Sequence, residues 1–496
     1  MNILLVYPQY PDSFWSFRHA IRFISKKASI PPLGLITVSA MLPVRWNKKL
    51  VDLNIAKLKV SDILWADYIF ISAMHIQKES VNEIIKTCQK YKKAIVAGGP
   101  LFTQEYHNYP QVDHLILNEA EITAPRFLDD LEKNKQPQHI YRAEDHEYAD
   151  LSLSPVPDYH LLSRKHYAFM NLQITRGCPF GCDFCEITSL LGRKVRMKPV
   201  SNVIRELDLL YKLKWRGGVF IVDDNFIGRR REVKDHLLPA IDSWMRRHQY
   251  PFMFTTQSSI DLADDNELLG AMVHAGFTST FIGIETPAEE SLQECNKSQN
   301  KNRDMLESVR KIQRAGLLVS GGFIVGFDSD KPSIFQKQVD FIQESGIVAA
   351  MVGLLNAPRN TQLFKRLLTE KRLISEPSGS NTDMSMNFVP TMPFAELLNG
   401  YRKIIQNIYS VQPYYKRIKQ LLTHYKRPKM GRTRIKFNQL SGFAKSVVII
   451  GILNKGRFEY WKLLFWALYY RPGLLIEAVT FAVYGYHFRK VYKIKN

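Results

Sequence analysis

The strongest constraint on the fold is a rhythm of short apolar runs. "ILLVYP", "KLVDLN", "YIFISA", "AIVAGGP" and "HLILNEA" follow one another, separated by polar or amphipathic stretches such as residues 81–92. Runs this short and this continuously apolar read as strands buried on both faces, and the stretches between them as helical crossovers of a parallel sheet. They predict one doubly wound, Rossmann-like α/β domain over residues 1–145, with its ligand outside the carboxyl ends of the strands. The polar, proline-containing stretch "DLSLSPVPDYHLLSRKHY" reads as a linker within 146–168. A second array begins at once: "NLQITRG", "GVFIVDDN", "PFMFTTQSS", "STFIGIET", "SGGFIVGF" and "AMVGLLNA". These units are too many for another small sheet and too few for a complete eight-fold barrel. A partial (β/α)6 TIM-type barrel over 169–395 fits, with its chemistry at the strand carboxyl ends.

Length and charge narrow the function. With 496 residues, 45% of them hydrophobic, the chain can build two or three cores. Its net charge of +21 is unevenly placed, because residues 401–496 hold 20 Lys and Arg against only Glu459 and Glu477. The main body is therefore close to neutral, and a basic stripe for nucleic acid is not expected of it. The start, "MNILLVYPQYP", has neither a basic n-region nor a small-residue cleavage site, which points to a cytoplasmic chain.

Three of five cysteines crowd into "TRGCPFGCDFC", where Cys178, Cys182 and Cys185 give C-x3-C-x2-C directly after the first barrel strand. An odd number with such clustering is no disulfide framework and points to metal or redox chemistry. Cys88 and Cys295 read as bystanders. A closed zinc site needs a fourth ligand, and none follows promptly. A [4Fe-4S] cluster on three thiolates keeps one iron open for a non-protein ligand.

This spacing, on the loop after strand one of a partial barrel, resembles the radical AdoMet superfamily. The resemblance implies S-adenosylmethionine chelated at the open iron and cleaved reductively to a 5′-deoxyadenosyl radical. It implies that Phe184 lies beside the nucleoside, that Asp223 and Asp224 at the end of "VFIV" meet the methionyl amino group, and that Gln257 and Glu285 are further AdoMet contacts. Gly322 and Gly326, in "GGFIVG", resemble the backbone segment along adenine. Glycines 177 and 181 let the cysteine loop fold tightly. Singly, each carboxylate is as much an N-cap or a solvated loop group as a ligand contact.

The N-terminal domain lacks the dinucleotide fingerprint G-x-G-x-x-G. Its Ser72-Ala73-Met74 and Gly98-Gly99 resemble the Ser-x-Leu and Gly-Gly elements of cobalamin-binding domains, which implies Ser72, Met74, Gly98 and Gly99 as cobalamin contacts. The Asp-x-His-x-x-Gly element of such domains is absent from "PQYPDSFWSFRHA", so no histidine from that loop is expected under cobalt. His75 and His19 stand nearby, His75 after the wrong strand. Together with "LNEAE", "FIGIETP" and "GGFIVGFDSD", these stretches look like the cobalamin-dependent radical AdoMet subgroup that includes the hopanoid C-2 methylase and the bacteriochlorophyll C-8 and C-12 methyltransferases. The resemblance implies methyl transfer from methylcobalamin to an unactivated carbon of a polycyclic substrate, with an electron donor such as flavodoxin or ferredoxin. Some relatives use cobalamin for ring formation or rearrangement instead, and that reading stays open.

Residues 396–496 read as a basic, aromatic-rich helical region. Its apolar stretches are broken by Arg471-Pro472-Gly473 and Glu477, short of the ~20 residues a spanning helix requires. Two readings stand side by side: helices lying on the inner face of an anionic membrane, or aromatic faces docked on the barrel with Lys and Arg in water.

Overall fold

The computed structural model describes residues 1–133, 135–380, 382–428 and 437–494. Part of the basic stretch, residues 429–436, lies outside the described residues.

The first array forms a six-stranded parallel sheet: β1 (Asn2–Tyr7), β2 (Asn47–Asp52), β3 (Tyr68–Ser72), β4 (Ala94–Gly98), β5 (His114–Ile116) and the short β6 (Ile140–Tyr141), in the order β2-β1-β3-β4-β5-β6. The five expected strands are present, and β6 adds a sixth at the edge. Helices cover both faces and divide the apolar side chains into two cores. Leu4, Val6, Ile69, Ile71 and Ile95 face one of them, Ile3, Leu5, Phe70 and Val96 the other. That alternation is why each run is apolar throughout. The order reverses between β1 and β3, where such sheets open a crevice at their carboxyl ends.

The second array is a curled, open parallel sheet. Its strands are β7 (Phe169–Leu172), β10 (Gly217–Ile221), β11 (Phe252–Gln257), β12 (Phe277–Glu285), β13 (Leu318–Val325) and β14 (Ala350–Leu354), paired in that order. Between β7 and β10 sits a small antiparallel pair, β8 (Thr175–Arg176) with β9 (Arg196–Met197), which frames the cysteine loop.

A barrel that does not close leaves two edges with unpaired backbone groups, and such edges have to be covered. At β7, Tyr159 of the expected linker donates to the Asn171 carbonyl at 2.7 Å, and the Ala168 and Phe169 amides donate to the carbonyls of Ala28 and Ser29. At β14, Tyr401 and Tyr409 donate to the carbonyls of Val352 and Ala350, at 3.2 and 2.6 Å. The linker is thus a packed wedge. Its Tyr159 and Tyr167 are fully buried, and Tyr167 donates to Asp52 at the end of β2 at 2.8 Å.

The C-terminal helices share the barrel's core. Phe488, on the helix Leu475–Val491, stacks on Phe14 at 4.3 Å, so the loop after β1 is occupied in packing against the C-terminus. Docking therefore accounts for the buried tyrosines of this region, although the outer side of Arg457–Tyr470 stays exposed. Among the described residues, no helix is long and apolar enough to cross a membrane.

Candidate active site

The cysteine loop is shaped by backbone requirements before any ligand is considered. Gly177 has φ +91°, and a Cβ there would stand 2.9 Å from the Gly192 carbonyl. The Cys178 amide donates to that same carbonyl at 3.3 Å, and the Cys185 amide to the Cys182 carbonyl at 3.1 Å. The helix Ile187–Leu191 and β9 then return the chain beside the first strand. All three thiols are free and half-buried. Burial pushes the Cys185 thiol up to about 12 and raises Cys178 as well.

That donor set fits a cluster. Three cysteine thiols brought to one loop are the donor chemistry such a cluster would take.

Charge at this loop comes from a residue with no signal in the sequence. Lys297 donates to Glu285 at 2.6 Å and lies 5.9 Å from the ring centre of Phe184. Burial alone would lower its pKa, but Glu285 and the sulfurs of Cys182 and Cys185 outweigh burial and raise it, so the ammonium stays charged. Gln299 donates to Cys182 Sγ at 3.6 Å. Lys297 reaches the loop only because the chain doubles back through the helix Glu289–Glu294, which the spacing does not reveal.

The expected AdoMet residues separate into two groups. Asp223 is fully buried and accepts from the Ile174 amide at 2.7 Å and from Thr175 Oγ at 2.8 Å. Both of its oxygens accept from the β7–β8 turn, so it also holds the base of the cysteine loop. Asp224 faces the loop, where its carboxylate accepts from the Gly177 amide at 3.4 Å, and burial first, then Asp223, push it up to about 7. Glu285 ends β12 at a bulge, buried, with φ +63°. Such a backbone is uncommon for a residue with a side chain, and strain of this kind gathers at functional sites.

Gln257 ends β11 half-exposed, and its side chain makes no hydrogen bond among the described residues. Phe184 meets Phe327 edge-on at 6.3 Å. Gly322 lies against Phe281, whose ring a Cβ would strike at 2.7 Å, and Gly326 takes φ +108° while its amide donates to Asp330 at 2.8 Å. Each glycine is thus required by its own surroundings, Gly322 by the Phe281 ring and Gly326 by its backbone conformation.

At the cobalamin-like elements, Gly99 has φ +93°, and a Cβ there would stand 2.9 Å from Ser72 Oγ; one on Gly98 would stand 2.6 Å from the Ile116 carbonyl. Both glycines are thus demanded by the strand ends themselves. Met74 is exposed, and His75 donates through Nδ1 to Glu105 at 3.2 Å, while its buried Nε2 has no partner among the described residues. An exposed methionine, a glycine turn and one orphaned polar atom at the carboxyl ends of β3 and β4 fit a large ligand.

The two edges are tied together by groups that single-residue reasoning missed. Arg176, just before the loop, donates to Glu119 at 2.8 Å and to Glu121 at 2.7 Å, and Arg196 on β9 donates to Glu119 at 2.7 Å. Gln104, beyond β4, donates to Glu186 at 3.2 Å. The readable signal was the acidic pair in "LNEAE" at a strand end, opposite arginines flanking the cysteines.

Known proteins match this geometry. The radical SAM superfamily profile matches residues 172–342, and a domain of unknown function matches 361–496. The chain is 39% identical to an uncharacterized methyltransferase of Synechocystis sp., over 98% of this chain and 91% of that one. It is 32% identical to the hopanoid C-2 methylase of Rhodopseudomonas palustris, over 85% of this chain and 80% of that one. The structure of OxsB, a cobalamin-dependent S-adenosylmethionine radical enzyme, has a similar fold, with a TM-score of 0.63 at 15% identity, covering 99% of this chain and 79% of that one. The chain belongs to the radical SAM superfamily, in the methyltransferase family that includes the hopanoid C-2 methylase.

Proposed function

We propose that this enzyme is a cobalamin-dependent radical AdoMet methyltransferase acting on an unactivated carbon of a polycyclic substrate, a hopanoid-like lipid or a tetrapyrrole. The observation that carries the reading is the joining of the cysteine loop to the carboxyl edge of the N-terminal sheet through Arg176, Arg196, Glu119 and Glu121. In this reading Cys178, Cys182 and Cys185 hold a [4Fe-4S] cluster, and Ser72, Met74, Gly98 and Gly99 border cobalamin. Residues 1–145 form the cobalamin domain, 169–395 the radical domain and 396–496 a covering region. When bound, the cluster supplies the electron that opens AdoMet, and cobalamin supplies the methyl group.

The chain's own work is positioning and exclusion of water. Phe184, Gly322 and Gly326 offer a flat slot for the nucleoside. Asp224 and the Lys297–Glu285 pair offer charges of both signs for the methionyl amino and carboxylate groups, and burial of the Lys297–Glu285 pair strengthens its contribution. Gln257 remains available to the ligand. No side chain has to act as a general acid. A flavodoxin- or ferredoxin-type donor and work on the inner face of a membrane belong to the same reading, the second supported by the charge of the C-terminal region.

Anaerobically reconstituted protein given methyl-labelled AdoMet, cobalamin and candidate polycyclic substrates tests the proposal. The expected outcome is labelled product with both 5′-deoxyadenosine and S-adenosylhomocysteine. Formation of 5′-deoxyadenosine without labelled product would overturn methyl transfer.

A further inference from the structure

Among the described residues, 22 large apolar side chains are exposed, and ten of them fall between Leu440 and Tyr470. The helix Arg457–Tyr470 is the centre of this patch. Its inner face is satisfied, with Tyr460, Leu463, Leu464 and Ala467 buried against the neighbouring helices. Phe458, Phe465 and Tyr469 lie on the opposite side at i, i+7 and i+11, exposed by 66%, 63% and 82%. The outer side therefore carries large aromatic side chains around the exposed Lys462 while the inner face is already covered, a pattern that calls for a second, amphipathic environment.

The patch extends onto the preceding turns. Trp461 stacks on Phe465 at 5.9 Å and donates through Nε1 to the Gly451 carbonyl at 2.9 Å, fastening the helix to the segment Val447–Ile452. That segment and its successor expose Ile452 and Leu453 by 54% and 73%. Basic groups accompany the patch: Lys445, Lys455, Arg457, Lys462 and Arg471, with Glu459 the sole acidic residue from 437 to 471.

We infer that this hairpin, residues 437–470, is a docking surface for an anionic lipid bilayer. The helix Arg457–Tyr470 lies flat, with Phe458, Phe465 and Tyr469 at the headgroup boundary. The inference rests on the membrane reading above and gives it a location. Three observations favour a lipid surface. Phe, Trp and Leu side chains with Lys and Arg beside them are the composition of helices that lie in a bilayer interface. The helix has 14 residues, too short to span and suited to lie in the plane. The charge is cationic throughout residues 401–496, with 20 Lys and Arg against two acidic residues, which complements an anionic leaflet over an area wider than one side chain's partner.

The test is co-flotation of the full chain with vesicles of phosphatidylcholine alone or mixed with phosphatidylglycerol. The wild type is expected to float with the anionic vesicles and to lose binding as salt rises. The combined variant Phe458→Ser, Phe465→Ser, Tyr469→Ser is expected to partition at least about tenfold less, with an unchanged melting profile, because these side chains are already in water. A wild type that floats with neither vesicle overturns the membrane reading and this surface together. Equal flotation of wild type and variant leaves the membrane reading standing and overturns the surface. Equal flotation on pure phosphatidylcholine overturns the anionic assignment. A lipid-free, concentration-dependent dimer that the variant abolishes would make the stripe a contact between copies and overturn the docking role.

Discussion

The two parallel sheets have six strands each and turn their carboxyl ends toward one another, and the β4 end differs from the barrel ends in what it presents. The β4 end of the N-terminal sheet is glycine pressed on backbone, Gly98 against Ile116 and Gly99 against Ser72 and Ala73. The barrel ends carry carboxylates instead, the buried Asp223 and Glu285 and the half-buried Asp224 and nearby Asp330. An edge of backbone accepts a large ligand by shape, because no side chain stands in the way. An edge of desolvated charge orients a ligand by its ionic groups. A family that uses one small zwitterion and one large macrocycle needs both kinds of edge.

The most severe break removes the metal from the charged edge. Cys182→Ala is expected to abolish product formation and most iron and sulfide binding, while the far-ultraviolet circular dichroism of the apoprotein stays the same. The three cysteines form no disulfide and are only half-buried, so the fold does not rest on them. Next is the tie between the edges. Arg176→Met strips the cation from Glu121 and leaves Glu119 to Arg196 alone, and removal of one partner from a buried pair costs about 3–5 kcal/mol. Urea unfolding followed by tryptophan fluorescence measures it, and a cost below ~1 kcal/mol would sink the idea that this network joins the edges.

How far the sequence discloses this contrast follows from the kind of interaction involved. Strands are local, so both arrays were legible from apolar runs, as was the cysteine loop from its spacing. The covering of the barrel's edges was not legible, since Tyr159 and Tyr409 hydrogen-bond to carbonyls that are unpaired only because the barrel stays open. The polar composition of 146–168 reads as a linker for the same reason: its buried members are scattered tyrosines and leucines without a period. The hold of Asp223 on the β7–β8 turn was not legible either, because a strand-end carboxylate looks the same in sequence whether it faces a ligand, a turn or both. Lys297 was missed because it meets its partner Glu285 only where the chain doubles back through the helix Glu289–Glu294.

Acidity sharpens the comparison through one carboxylate on each side, Glu121 and Asp330, which are shifted in opposite directions. Burial pushes Glu121 up, but the hydrogen bonds and charge of Arg176 more than reverse this, to about 2 from a free value of 4.5. Its stabilisation is complete above the unfolded value and is lost as pH falls toward 2. Burial raises Asp330 to about 6 from 3.8, against the opposing bonds from the Gly326 amide and Ser291. Asp330 therefore stabilises most below its unfolded value, and that contribution is lost as pH rises through 6. Each effect spans about 3 kcal/mol. The deficit of Glu121→Gln relative to wild type should shrink as pH is lowered from 5 to 3. Asp330→Asn should gain on wild type between pH 4 and 6. Parallel curves for the two variants would remove the proposed asymmetry.

The smallest effects separate a glycine that an edge requires from one that merely occupies a helix. Gly99 combines φ +93° with neighbours that leave no room for a methyl group, so Gly99→Ala should cost about 1–3 kcal/mol by strain and displacement of Ser72. Gly270 lies within the barrel helix Asn266–His274, and a Cβ there meets nothing within 4 Å. Alanine at that position narrows the unfolded ensemble and favours the helix, for a gain of about 0.5–1 kcal/mol. The signs should be opposite in the same denaturation assay. If Gly99→Ala instead matched Gly270→Ala, the N-terminal edge would have slack to accept a side chain, and its glycines would have to be explained by the ligand alone.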